Sequence, residues 1–197
     1  MKKGEMTREQ IIRKSATLFN LQGYSGVSLN DITDVTGIKK GGIYRHFINK
    51  DEIAKEALDY AAGIVFQQFL AHIHAKDTCY EKLLSIFDVY SDVVEAPPFT
   101  GGCPLMNSAV EHDDGHPILR QKAREIMNEM LTLIMGVLRD GIQHGELHED
   151  TDAESIASFL ISILEGGILL SKLEGDNRHI RNCKENAALF LQRILLR

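Results

Sequence analysis

The sequence predicts an all-α protein with a small N-terminal head and a larger helical body. Three observations predict it. Apolar residues recur at three- and four-residue spacing, no run reads as a strand, and caps, glycines and prolines punctuate the helical runs. About nine helices follow, three in a head over residues 1–50 and about six in a body over residues 51–197.

The first helix is signalled by the capping box Thr7 to Gln10 and by the stripe Ile12, Ala16 and Phe19, with Ile11 and Leu18 alongside and Gly23 as its stop. A second starts at Leu29. Ser28 is its N-cap with Asp31 three positions on, Val27 and Ile32 form a hydrophobic staple, and Gly37 closes it. Ile38 then sits in a tight turn before a third helix from about Lys39 to Phe47. Ile43 and Phe47, four apart, share its inner face, which leaves Lys40, Tyr44 and Arg45 to a partner. Gly41 and Gly42 each cost roughly 1 kcal/mol against alanine in a helix interior, but a bare backbone can press against a sugar-phosphate chain. The bland alternative is a poorly formed helix beside a basic surface loop.

Asn49 with Glu52, flanked by the staple pair Ile48 and Ile53, launches a long fourth helix through Ala54, Ala57, Leu58, Ala61, Val65 and Phe69 to about His74. A fifth is expected over residues 78–94, with Leu83, Leu84, Phe87 and Tyr90 inward. Ala96-Pro97-Pro98 and Thr100-Gly101-Gly102 break the chain, and Pro104 suits the first turn of a short sixth helix ending near His112. After the break over residues 113–117 a long seventh helix runs to His144, burying Leu119, Ala123, Ile126, Met130, Leu133, Ile134, Val137 and Leu138, and Gly145 closes it. Thr151 with Glu154 caps an eighth, carrying Ile156, Phe159, Leu160, Ile163, Leu164 and Ile168 to about Leu173. In the last helix, Ile180 to Leu195, the apolar spacing approaches a coiled-coil seam.

Charge is divided between the two parts. Residues 1–50 hold nine Lys/Arg against four Asp/Glu, a net of +5, so the remainder carries −11 of the overall −6. A basic head on an acidic body is expected where one end docks on a polyanion. Cys79, Cys103 and Cys183 are odd in number and far apart, which argues against a disulfide framework or zinc site and for a reduced cytoplasm. MKKGEMTREQ has no apolar segment behind its lysines, and no stretch reaches the 18 or so uninterrupted apolar residues of a membrane span, so a soluble protein with no membrane partner is expected.

Residues 7–53 resemble the DNA-binding domain of the TetR/AcrR family of bacterial repressors. The resemblance rests on ATLFNLQGYSGVSLNDI followed by TGIKKGGIYRHFINKDEI, with Tyr44, His46, Phe47 and Lys50 on the family pattern. Lys39 departs from it, since the family more often has Ser or Thr there. The resemblance implies a DNA-binding transcriptional regulator, a homodimeric repressor released from a palindromic double-stranded operator by a small-molecule effector. Its DNA-binding residues would be Ser28, Lys39, Lys40, Gly41, Gly42, Tyr44, Arg45, His46 and Lys50, with Tyr44 and Lys50 on phosphates and Arg45 and Lys40 on base edges. A single short recognition helix reaches few base pairs, so two are expected about one helical turn apart. In the family the last two helices pair with their twins, which assigns the dimer interface to Ile156, Phe159, Leu160, Ile163, Ala187, Leu191 and Ile194. Gly166-Gly167 either allows close helix approach there or lines a pocket.

The body carries no P-loop, GxSxG or HExxH, and neither a catalytic role nor a cofactor is expected. An effector pocket is expected between the fourth helix and helices five to eight, lined by Phe66, Phe69, Phe87, Cys103, Met106, Asn107, Met127 and Met130, with Asn107 as the polar orienting group. Cys103 opens a helix, where the dipole favours thiolate. The resemblance offers a second reading for it, as a sensor of oxidants or electrophiles. A cysteine hydrolase using Cys103 with His112 or His116 is the alternative from another class. HDDGH, residues 112–116, reads as a helix end and a polar loop rather than a metal site.

Overall fold

The computed structural model describes residues 3–195. Among the described residues there are nine helices and no strand. They are α1 (Lys3–Gly26), α2 (Leu29–Thr36), α3 (Lys40–Ile43), α4 (Lys50–His74), α5 (Cys79–Asp88), α6 (Pro104–His112), α7 (Pro117–Gln143), α8 (Ala153–Glu174) and α9 (Arg178–Ile194). Packing groups them into two compact units. The first holds the residues up to Ile64 together with Phe99–Ile126, and the second holds Val65–Pro98 and the chain from Met127 onward. This grouping differs from a division at residue 50, because α6 packs on α1 and joins the first unit.

The first unit is built on an apolar cluster of Ile11, Leu18, Val27, Ile32, Ile43, Phe47 and Ile53, all nearly or wholly buried, with Ile12, Phe19, Leu29 and Ile38 at its edge. α1 begins upstream of Thr7, so the expected Thr7 to Gln10 box does not start it; the Gln10 amide donates to the Thr36 carbonyl instead, at 3.0 Å. Gly23 does break the helix, with φ 74° and ψ 165°, and one further turn follows to Gly26. α2 carries the expected reciprocal cap: Asp31 N–H donates to Ser28 Oγ and Ser28 N–H to Asp31 Oδ2 at 2.7 Å. Gly37 closes it in the left-handed region, φ 72°. At α4, Glu52 N–H donates to Asn49 Oδ1 at 2.9 Å as expected, but the Glu52 carboxylate caps the Ile48 N–H rather than that of Asn49. The Ile48–Ile53 staple is not made: Ile53 is buried and Ile48 is 85% exposed.

In the second unit α5 ends at Asp88, six residues before the expected end, and the chain continues in turns. Asn177 accounts for the departure. Its side chain accepts from Val94 N–H and donates to Asp92 Oδ1, fixing that segment away from a straight helical course. The Cys79 thiol lies buried against α7, and burial together with the Glu146 carboxylate pushes its pKa to about 12. α8 is capped by Asp152, which accepts from Ser155 N–H, in place of the expected Thr151.

α8 is apolar on two faces. Ile156, Ala157, Leu160, Leu164, Gly167 and Ile168 are buried within the unit. A Cβ on Gly167 would stand 3.0 Å from Cys183 Sγ and 3.1 Å from Ile180 Cδ1, so this glycine permits close approach of α9 of the same chain. The other face carries Phe159, Ile163, Gly166, Leu170 and Leu173 at alternating spacings of four and three, with Phe159, Leu170 and Leu173 exposed. This two-sidedness also makes α8 the one described helix long and apolar enough to cross a membrane by length and composition, although part of it is buried inside the unit. The expected dimer residues therefore need correction. Ile156, Leu160, Ala187 and Leu191 are buried within their own chain and are unavailable to a partner, whereas Phe159 is exposed and Ile163 and Ile194 are half-buried.

Candidate nucleic-acid interface

The expected nine-residue recognition helix is shortened to one turn, Lys40–Ile43, followed by turns through residue 46. Two consecutive glycines weaken the helix. Beyond them the Ile43 carbonyl accepts from both His46 N–H, at 2.9 Å, and Phe47 N–H, at 3.1 Å, which tightens the chain as Phe47 drops into the core. Lys39 stands at the N-cap with extended backbone and no side-chain cap bond, so its ammonium is not used to start the helix.

Ile43 and Phe47 are buried, 1% and 2% exposed, while Lys39, Lys40, Gly41, Tyr44 and Arg45 face solvent together. His46 and Gly42 are half-buried. The two glycines differ in what they permit. A Cβ on Gly42 would meet Ile38 Cγ2 at 2.8 Å, whereas one on Gly41 would meet nothing within 4 Å. Gly42 is thus required by packing on the turn, and Gly41 presents bare backbone outward. A shallow hollow beside it is lined by Thr33, Asp34, Gly37, Ile38, Lys39 and Lys40.

Ser28 and Lys50, both expected on DNA, are engaged within the protein. The Ser28 hydroxyl bonds Asp31 at 2.6 Å, which helps hold the Asp31 carboxyl below its ordinary pKa. Lys50 Nζ donates to the carbonyls of Tyr24 and Val27, each at 2.9 Å, and lies 3.8 Å from the centre of the Tyr24 ring. Lys50 is therefore a tie between the chain entering α2 and the start of α4. Arg8 is similarly internal, paired with Glu52 and Glu56 and stacked 4.4 Å over Phe47. Tyr24 bonds Asp51 through its hydroxyl; burial first, and then the carboxylate, raises its pKa from 10 to about 12.

Sequence reasoning missed a second set of residues in this unit. Glu111 in α6 accepts from Tyr24 N–H at 2.7 Å and Ser25 N–H at 2.8 Å. Asn20 donates to the carbonyls of Thr100 and Gly102, and the Asn107 amide donates to Asn20 and to the Gly101 carbonyl. Asn107, expected to orient an effector, is thus committed to α1. His112 and His116 edge the Tyr24 ring, with centroids 5.8 and 4.8 Å away. No local signal announces these contacts, since the partners are about 80 to 90 residues apart in sequence.

The other expected effector residues are divided between the units. Cys103 and Met106 belong to the first, Cys103 buried and Met106 half-buried. Phe66, Phe69, Phe87, Met127 and Met130 belong to the second, where Phe69 and Phe87 are buried, Phe66 and Met130 half-buried and Met127 exposed. Cys103 is the N-cap of α6 as expected but only 4% exposed. His112 lies nine residues further along that helix, about 13 Å at 1.5 Å per residue, so the hydrolase pairing of Cys103 with His112 fails on distance. The described residues contain no group of three His, Cys, Asp or Glu arranged to hold a metal ion.

A capped helix, a glycine turn and a short basic helix seated on an apolar core define a helix-turn-helix DNA-binding regulator. Residues 11–57 match the family described as bacterial regulatory proteins, tetR family, and residues 79–186 match the tetracyclin repressor-like C-terminal domain. The chain belongs to the TetR family. It is 28% identical to the HTH-type transcriptional regulator LmrA of Bacillus subtilis, over 90% of this chain and 94% of LmrA. A TetR-family regulator from Cytophaga hutchinsonii superposes with a TM-score of 0.94 at 33% identity, covering 100% of this chain and 98% of that one. CifR, solved as a cysteine mutant with 26-bp double-strand operator DNA, shares the fold at 22% identity and a TM-score of 0.81, covering 91% of this chain and 94% of its own.

Two outcomes are expected from this geometry. Gly41→Ala should stabilise the protein slightly, by up to about 1 kcal/mol in a urea melt, while weakening DNA binding; Gly42→Ala, clashing with Ile38, should destabilise it. The raised Tyr24 pKa favours the neutral phenol in the folded state, so its contribution to stability is complete below pH 10 and is lost as pH rises from 10 to about 12. Tyr24→Phe should flatten that part of an alkaline stability profile.

Proposed function

We propose that this protein is a homodimeric transcriptional repressor, acting in the cytoplasm, that binds a palindromic operator and leaves it when a small effector occupies the body. The observation that carries the proposal is the joint exposure of Lys39, Lys40, Tyr44 and Arg45 around bare Gly41, on a helix whose other face is buried. Lys39 and Tyr44 meet phosphates and Arg45 and Lys40 read base edges, while Lys50 acts as the internal tie. The operator-bound CifR supports DNA as the partner. Release requires only that the effector favour the arrangement that binds DNA poorly, and 1.4 kcal/mol of such preference lowers operator affinity tenfold.

The dimer forms through the outer stripe of α8, Phe159, Ile163, Gly166, Leu170 and Leu173, together with exposed Leu189 and with Phe190, whose ring lies 4.7 Å from that of Phe159. The Cys103 sensor reading is the weaker one. A thiol so little exposed reacts slowly whatever the helix dipole contributes.

Sequencing the genomic fragments retained by the purified protein tests the proposal and supplies the operator. Arg45→Ala should then relax base preference at one operator position, whereas Lys39→Ala should weaken all sequences alike. With about six phosphate contacts per dimer, log affinity should fall against log salt with a slope near −5. An affinity indifferent to salt counts against the interface. Phe159→Glu and Leu170→Glu should give monomers in sedimentation with the fold retained and operator binding lost; a dimeric, DNA-binding Leu170→Glu protein would move the interface elsewhere.

A further inference from the structure

Glu111 stands in the last turn of α6, far in sequence from the reading helices, yet its carboxylate is directed at the chain that leads into them. Oε2 accepts from Tyr24 N–H and Oε1 from Ser25 N–H, at 2.7 and 2.8 Å. Gly23 precedes them with φ of +74°, and a Cβ there would lie 2.8 Å from Glu111 Oε2, so the carboxylate fills the space a side chain would need. Burial opposes ionisation of Glu111, but the backbone N–H bonds of Ser25 and Tyr24, together with the Ser25 side chain and the nearby His112, hold the carboxyl below its ordinary pKa. On the other side, His112 Nε2 lies 3.8 Å from Oε2, while His112 Nδ1 is anchored 2.6 Å from the Ser108 carbonyl oxygen.

Tyr24 passes this position on. Its carbonyl and that of Val27 receive Lys50 Nζ, its ring lies under the same ammonium, and its hydroxyl bonds Asp51, which His116 approaches at 3.5 Å. Lys50 and Asp51 open α4, Val27 immediately precedes the α2 cap, and α3 is the chain between. One carboxylate thereby fixes a turn to which the starts of both flanking helices are attached.

We propose that Glu111 is a positioning residue of the DNA-reading surface: by bonding the backbone N–H groups of Tyr24 and Ser25 it sets the α2–α3–α4 frame that carries Lys39, Lys40, Tyr44 and Arg45. It touches no DNA itself. The proposal rests on the DNA-binding reading and adds α6 to the machinery that reading describes.

The test uses the full-length protein and the genomic fragment that the wild type retains most tightly. Wild type, Glu111→Gln and Glu111→Ala are titrated first at high concentration to count active molecules, then at low concentration for affinity. Gln keeps the shape but turns one amide N–H toward a backbone N–H; Ala removes the group. Both should bind the fragment about tenfold more weakly per active dimer, with a shallower salt slope because fewer phosphates are met together. Amide exchange at Tyr24 and Ser25 should quicken while that of α8 and α9 stays unchanged. A purely structural role would reduce only the active fraction, leaving affinity and salt slope at wild-type values, and that result overturns the proposal. So does unchanged affinity alongside faster exchange at the two amides. If the wild type retains no fragment at any salt, the DNA-binding reading itself fails and the proposal with it.

Discussion

Helices of eight and four residues do not persist alone in water, because the nucleating turn costs more than so few hydrogen bonds return. α2 and α3 exist because Ile32, Ile43 and Phe47 are drawn into one apolar cluster with Ile11 and Leu18 of α1, Val27 before α2 and Ile53 of α4. Fully burying each such side chain contributes roughly 1.5–3 kcal/mol, against about 2 kcal/mol that the adjacent glycines withdraw from α3. Tertiary burial therefore wins over local propensity. It also decides orientation, since anchoring Ile43 and Phe47 leaves Lys40, Tyr44 and Arg45 no side but the outer one.

Charges in this unit fall into two groups that the sequence does not distinguish. Arg8 and Lys50, both half-buried, are committed to partners in their own chain, over aromatic rings and on carboxylates or carbonyls, and they brace the helices. Lys122 does likewise between Asp59 and Glu125, at 2.9 and 2.8 Å. Lys39, Lys40 and Arg45 stay exposed and remain available to a polyanion. Of the +5 carried by residues 1–50, then, only part is presented outward.

The legible parts of the fold were those whose causes are local. The Ser28–Asp31 cap, the Gly37 stop and the Pro104 start each depend on a few adjacent residues and lie where their spacing puts them. The end of α5 is not local: Asn177, 83 residues beyond Val94, holds the chain after Asp88. The outer face of α8 is hidden from periodicity for a different reason. A helix apolar on two sides offers two stripes, and periodicity alone cannot say which one its own chain will bury. Glu111 and Asn107 were illegible as parts of the reading unit, for nothing near either residue records a partner on α1.

The union of α1 and α6 bears on how such regulators exchange specificity. Recombination or engineering that grafts residues 1–64 from one relative onto the body of another would separate Asn20, Tyr24 and Ser25 from the α6 groups that satisfy them, leaving polar backbone without its acceptors and Gly23 beside an unmatched side chain. A chimaera that keeps its reading frame intact must carry residues 99–126 along with the head, two crossovers further down the chain than the helix-turn-helix alone would suggest.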